Sequence, residues 1–429
     1  MDPSSRGAAP ASSLLRQKPF ALFWGARVAT SIAFQMQAVA VGWQGYDLTG
    51  SAFYLGLVGL AQFLPMFLLN LAVGQVTDRY DRRNVARACQ LVETAAAGTL
   101  AIGSARGWIG PESLLAIVFV VGASRAFEGP SLQAMVPGLV PSFLLPRAVA
   151  WAASANQTAT ILGPALGGLL YAAGPGTVYA TVGALFFGAS LLMAGIRTER
   201  VPPTPEPLSV QSLFAGIAFI RRQRAILGAI SLDLFAVLLG GATALLPIYA
   251  RDLLHTGPWG LGFLRAAPAL GALSTSVVLA HHPLGRRVGR TMFSAVTIFG
   301  LATIVFAVSS SFLLSMGALA VLGAADVISV VIRNSLVQLD TPDAMRGRVT
   351  AVHSLFIGTS NQLGEFESGV TAALFGTVPA VLLGGVGTIF VSLLWLRLFP
   401  ELAQIDSLER RTRPPVEEAL ESPALIVDR

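Results

Sequence analysis

The sequence predicts an all-α membrane protein with twelve transmembrane helices in two pseudo-symmetric six-helix bundles. Three observations carry that prediction. Twelve apolar stretches of roughly 20 residues, the length that crosses a bilayer core, follow one another along the chain. Of 29 Lys and Arg residues, 23 fall in, or within a turn of, the two tails and the even-numbered connections. The two halves of the chain are also weakly alike.

Composition excludes the common soluble classes. The 429 residues are 54% hydrophobic and only 12% charged, with a mean hydropathy of +0.67, whereas a soluble domain carries about 25% charged residues. The net charge of +6 could signal nucleic acid. Here the arginines form short loop clusters rather than one stripe, which fits membrane orientation and not nucleic-acid binding. Only Arg106 and Arg251 occupy odd-numbered connections, while Arg27, Arg125, Arg265 and Arg333 lie inside spans. Positive residues stay on the cytoplasmic side during insertion, so both termini are expected there. Cys89 is the one cysteine, so no internal disulfide and no Cys-based metal site is expected.

Residues 1–19 form a polar tail without the apolar core of a cleavable signal. The spans are expected at 20–46, 52–76, 84–105, 112–138, 148–173 and 177–198 in the first bundle (20–198). In the second (225–399) they are expected at 225–250, 257–280, 291–310, 312–338, 348–375 and 378–399. All should be helices, because backbone exposed to lipid must satisfy its own hydrogen bonds. Minimal turns such as Gly174-Pro175-Gly176 force antiparallel neighbours. The linker, 199–224, opens with Pro202, Pro203, Pro205 and Pro207, which end a helix. Leu213, Phe214, Ile217 and Ile220 then share one helical face, suggesting either an interfacial helix or an early start to span 7. Residues 400–429 form a polar tail.

The internal likeness is positional. At an offset of 201, Gly122, Arg147, Ala150, Gly163 and Gly168 meet Gly323, Arg348, Ala351, Gly364 and Gly369. Earlier spans fit an offset near 206, with Leu55-Gly56 facing Leu261-Gly262. Duplication of this kind marks transporter folds, whose substrate sites lie between the repeats.

Three motifs carry chemistry. The loop from Gly74 to Arg83 places Asp78, Arg79, Arg82 and Arg83 behind a glycine. Asp78 can accept from a helix N-terminus, and the arginines can bridge to carboxylates on adjacent spans, as a conformational latch would. The second half has arginines but no acid in its equivalent loop, His281 to Arg290. Span 4 carries Arg125 and Glu128 three apart on one face, and such charges need a cavity or a partner. Span 5 carries Gly163-Pro164-Ala165-Leu166-Gly167-Gly168, small residues that allow tight packing around a proline bend.

Other intramembrane polar residues are weighed singly. Asp326 and Arg333 are seven apart in span 10 and could pair with charges across a cavity. Glu365 and Glu367 in span 11 point about 200° apart, so only one readily faces the centre; Glu365, aligned with Pro164, is the preferred candidate. Asp233 lies opposite Arg27 in the repeat register, which suggests a pair between halves, and Glu93 could partner the loop arginines. Gln35, Gln37, Asn156, Gln157, Asn361 and Gln362 could line the cavity or bond between helices. No phosphate loop, metal motif or recognisable nucleophile triad is present in the sequence, so an enzyme is not expected.

At these residues the chain resembles the major facilitator superfamily, in particular the bacterial group of enterobactin-exporter type. The loop looks like G-x-x-x-D-R-x-x-R-R, with Asp81 where glycine is usual; Arg125 to Gly129 looks like R-x-x-Q-G, with Glu128 for Gln. Gly163 to Gly168 resembles the antiporter motif G-P-x-x-G-G, with Ala159 where a further glycine belongs. Phe20 to Trp24, Trp43, Tyr46 to Gly50, Ala148 to Gly168 and Arg346 to Val349 extend the likeness. The resemblance implies alternating access and proton-driven export of a siderophore- or drug-like solute across the bacterial inner membrane. It implies a monomer among membrane lipids, with protons as partners and no cofactor. Arg125 would then influence a proton-carrying acid, with Glu128, Asp326 and Glu365 as candidates. Alternatives on the same fold are a lipid or lysophospholipid flippase or importer, and a non-transporting receptor.

Overall fold

The computed structural model describes residues 12–197 and 210–407. Twelve long helical segments follow in order: α1 (Lys18–Thr49), α2 (Ala52–Arg79), α3 (Arg82–Arg106), α4 (Pro111–Met135), α5 (Leu145–Tyr171) and α6 (Pro175–Ala194). The second bundle contains α7 (Arg224–Leu239, continuing irregularly to Leu253), α8 (Gly257–His281), α9 (Val288–Val308), α10 (Phe312–Leu339), α11 (Asp343–Phe375) and α12 (Thr377–Leu398). Eight of them are long and apolar enough to cross a bilayer by length and composition. The others, α1, α3, α5 and α11, carry more charged, amide and hydroxyl side chains.

Many helices overrun the expected spans. The 32 residues of α1 extend about 48 Å, well beyond a bilayer core of about 30 Å. Local chemistry stops them. Gly50 (φ 60°) closes α1 in the left-handed conformation, and the Ser51 hydroxyl accepts from the Tyr54 amide to start α2. The Asp81 carboxylate caps α3 by accepting from the Arg83 amide at 2.9 Å.

The two bundles share one pairing scheme. In the first, α1 packs on α5 and α6, α3 on α4 and α6, and α2 on α4. In the second, α7 packs on α11 and α12, α9 on α10 and α12, and α8 on α10. The bundles meet where α2 crosses α11 and α5 crosses α8. An apolar cluster containing Val39, Tyr46, Leu55, Leu245, Tyr249 and Leu261 joins them at the end opposite the arginine-rich loops.

One expectation changes, and the linker takes one of its two expected forms. Span 7 is not one continuous helix: α7 breaks at Gly240-Gly241, passes through a 3₁₀ turn (Ala242–Leu245), and ends in a π-helical turn (Tyr249–Leu253). Both glycines sit where a side chain would collide, Gly240 with Phe299 and Gly241 with the backbone of Gly364. The linker segment Val210–Arg222 is a separate helix, parted from α7 by extended Gln223. Its Gly216 lies against Arg348 and Val352 of α11, and Ile220 is buried there. The proline run at 202–207 and the tails at 1–11 and 408–429 lie outside the described residues.

Candidate functional site

In the first bundle the charged groups form one cluster. Glu128 of α4 is wholly buried and accepts from Arg125 Nη1 at 2.6 Å and from Gln90 Nε2 of α3 at 3.1 Å. Gln90 also donates to the Thr30 hydroxyl of α1 at 3.3 Å. The Arg125 guanidinium lies 4.3 Å over the Phe34 ring, and its side chain stays 27% exposed. Arg27 Nε donates to the Ala152 carbonyl at 3.2 Å. One helical turn from Gln90, Glu93 is fully buried, and neither carboxylate oxygen has a hydrogen-bond partner among the described residues.

Among the described residues the loop arginines do not reach Glu93, contrary to the sequence expectation, and they do not bridge to carboxylates on other helices. Arg82 Nη1 donates to the Ala134 carbonyl at 3.1 Å and Arg83 Nη1 to the Ile196 carbonyl at 2.5 Å. Both acceptors lie at helix C-terminal ends, where carbonyls are left over and cations are favoured. Arg79 is exposed. Beyond their place in α2, Gly74 and Asp78 lie outside the described residues.

The second bundle holds its own cluster. Arg333 of α10 is ion-paired with Asp233 of α7, both almost fully buried. This corrects the expected Asp233–Arg27 pair and the expected reach of Arg333 across a cavity: Asp233 faces α10. His353 of α11 lines the same recess, buried, with neither ring nitrogen hydrogen-bonded among the described residues. Asp326 lines an adjoining recess with Asp233 and Ser329.

Between the bundles the repeat glycines meet. A Cβ added at Gly168 of α5 would fall 3.0 Å from the Gly262 Cα of α8, and one at Gly56 of α2 would fall 3.2 Å from the Gly369 Cα of α11. These crossings are one contact seen twice, since Gly168 aligns with Gly369 and Gly56 with Gly262. Gly163 and Gly167 serve α1 instead, abutting Gln35 and Met36. The Pro164 carbonyl lies against Gly262. Glu365 uses the space of another absent side chain: its Oε2 lies 3.0 Å from where a Cβ on Gly59 would sit. Glu367 instead accepts from the Thr371 hydroxyl at 2.7 Å.

Polar contacts close the same end. The Tyr46 hydroxyl bonds to the Asp252 carboxylate, and Arg251 Nη1 pairs with Asp47 at 2.9 Å. The amides are divided. Gln35 donates to Thr160 at 3.3 Å, Gln157 to the Ala269 carbonyl at 3.4 Å across the seam, and Asn361 to the Ile357 carbonyl at 3.0 Å. Asn156 is exposed, while Gln37 and Gln362 each bury a carbonyl oxygen with no partner among the described residues.

A family model described as a transmembrane secretion effector, within the major facilitator superfamily, matches residues 9–427. The chain belongs to that family. It is a membrane-embedded transporter and not an enzyme. The enterobactin exporter EntS of Citrobacter koseri is 28% identical over 414 residues, covering 94% of this chain and 96% of the relative. EntS of Escherichia coli O1:K1 is 27% identical with the same coverage. A bacterial homologue of the human lysosomal transporter Spinster, inward-facing and unoccupied, superposes with a TM-score of 0.70 at 12% identity, over 95% of this chain and 100% of that one. A bacterial homologue of the iron transporter ferroportin, inward-facing, gives 0.67 at 16% identity, over 91% and 99%. These structures share the fold of this family member.

The glycine crossings yield a prediction. Gly168→Val forces a side chain into the α8 backbone, and overpacking of this kind costs about 1–3 kcal/mol. The cost falls on the closed crossing described here. Transport should drop about tenfold while the solubilised protein stays folded, and Gly369→Val should match it, because pseudo-symmetry makes the sites equivalent. An unaltered rate in either variant would refute the role of the crossing.

Proposed function

We propose that this transporter is a proton-coupled exporter of a small amphipathic solute, siderophore- or drug-like, working by alternating access in a bacterial inner membrane with both termini cytoplasmic. One observation carries the reading. Glu128 is sealed inside the first bundle, yet its counter-ion Arg125 keeps a quarter of its side chain exposed. Proton uptake by Glu128 would therefore release a cation that an approaching solute can touch. Asp326 and Glu365 are the further acid candidates, and Glu365, at the α2–α11 seam, would feel any change in bundle spacing. The relatives named enterobactin exporters support export of this solute class. Arg27, Gln35, Gln37, Asn156, Gln157, Asp233, Asn361 and Gln362 are proposed as cavity or support residues around these charges. The latch role of Gly74, Asp78, Arg79, Arg82 and Arg83 is likewise proposed.

The test is transport by the full-length protein in proteoliposomes, across a panel of siderophores and amphipathic dyes. An imposed pH gradient should drive accumulation of at least one compound, and collapsing the gradient should abolish it. Accumulation indifferent to the gradient defeats proton coupling; a panel with no movement in either direction defeats export of this class.

The Asp47–Arg251 pair tests the alternation. Exposed pairs of this kind contribute about 0.2–1 kcal/mol, so Arg251→Glu should slow export about twofold to fivefold by weakening the closed end. Adding Asp47→Arg restores an attractive pair and should return the rate towards wild type. A double variant slower than the single one would show that the pair plays no part in closure.

A further inference from the structure

A groove of about 340 Å³ opens between the linker helix, α7 and α11. Ile217, Leu227, Ile230, Leu234 and Phe356 make its walls apolar. Its one wall hydroxyl, on Ser231, is already engaged: it donates to the Leu227 carbonyl at 2.5 Å and accepts from Trp395 Nε1 at 2.9 Å. Water gains little in such a space, since a buried water needs two or more polar partners. At the rim stands Arg221, exposed, with no acid paired to it among the described residues. Arg222 beside it is also exposed, while Arg224 is occupied by Glu401 at 3.4 Å. On the linker helix itself, Phe214 is exposed.

We propose that this groove binds an anionic phospholipid, one acyl chain along the apolar wall and the phosphate on Arg221. A dry trough ending in a free guanidinium complements an amphiphile with a negative head, because Arg pairs with phosphate through parallel N–H donors. A zwitterionic lipid brings its own cation to the rim and loses that advantage. The groove lies within the linker and the second bundle, and its Ile230, Leu234 and Phe356 also border the recess that holds Asp233, Arg333 and His353, so it backs onto that ion pair. A lipid seated there ties the linker helix to α7, the helix that breaks at Gly240-Gly241. The inference depends on membrane placement and not on proton coupling.

The experiment uses the full-length protein in mild detergent with equal amounts of phosphatidylglycerol and phosphatidylcholine carrying the same acyl chains. Native mass spectrometry counts the lipid retained. The expected result is a preference for phosphatidylglycerol of about fivefold, the scale set by one basic residue against an anionic lipid. Arg221→Gln, an exposed change that spares the fold, should lower that preference about fivefold. Leu234→Trp fills the groove and should remove retention of both lipids. Equal retention by the wild-type protein, a preference unmoved by Arg221→Gln, or full retention in a folded Leu234→Trp variant would each overturn the proposal.

Discussion

Arg333→Met will destabilise the second bundle by about 3–5 kcal/mol, the usual cost of removing one partner from a buried ion pair. The cost arises because Asp233 is left charged or newly protonated in a site with almost no solvent contact. Met has nearly the length of the arginine stem, so little of the loss comes from a cavity. The mirror change, Asp233→Leu, strands the guanidinium and should cost a similar amount. The double variant Asp233→Leu with Arg333→Met removes both charges, and stability should return to within about 1 kcal/mol of wild type, since apolar replacements of buried pairs are often neutral or better. Thermal unfolding of the purified protein in one detergent, wild type and the three variants side by side, measures this. Additive losses in the double variant would mean that the two residues act independently and that the pair is not the unit of stability. If the double variant is stable yet fails to transport, the pair serves function rather than folding. His353 makes that outcome interesting, because its unpartnered ring shares the recess with Asp233 and Arg333.

Much of the architecture was legible because lipid leaves few choices. A backbone in hydrocarbon must be helical, so apolar runs mark helices, and positive charge marks one side. The repeat was legible too, in Gly56, Gly168, Gly262 and Gly369. Alignment paired each glycine with its equivalent, however, whereas the structure sets each against the partner's equivalent, Gly168 on Gly262 and Gly56 on Gly369. Tyr46 and Asp252 show the same symmetry more directly. They are separated by 206 residues, the repeat offset itself, so they are equivalent positions meeting at the pseudo-twofold axis. That signal was available in the numbering. The break in α7 was signalled as well, by Gly240-Gly241 followed by Pro247. What a sequence offset lacks is azimuth. It put Asp233 at the depth of Arg27 but gave no information on which way α7 is turned, and the carboxylate faces Arg333. For the same reason Gln90, holding Glu128, and His353, beside Arg333, were missed: one polar residue in a helix reads alike whether it faces a charge or a neighbouring backbone.

Glu128→Gln should abolish uphill transport while leaving passive exchange within about tenfold of wild type. Glutamine keeps the size of the side chain and one oxygen, which can still accept from Arg125, while its amide nitrogen faces Gln90, whose own amide can flip to offer the oxygen that now lacks a partner, so a contact between α3 and α4 is kept. It lacks the ability to bind and release a proton. A bound proton shifts a conformational equilibrium only by its difference in affinity between the two states. Fixing position 128 in one neutral form sets that difference to zero, and a gradient then has nothing to act on at this site. Arg125 meanwhile loses its anion and stays near Phe34 as an uncompensated cation, so binding of an anionic solute should be retained or strengthened. Counterflow at equal pH and accumulation under a pH gradient, measured in the same proteoliposomes, separate the two effects. Loss of both would point to a structural role for the pair. Retention of both would move the coupling acid elsewhere, first to Glu365, whose carboxylate occupies the space opposite Gly59 and whose Gln variant should then carry the phenotype. Glu93→Gln supplies the internal comparison: it also neutralises a buried acid on α3, but one with no cation bonded to it, so it should leave the gradient response in place.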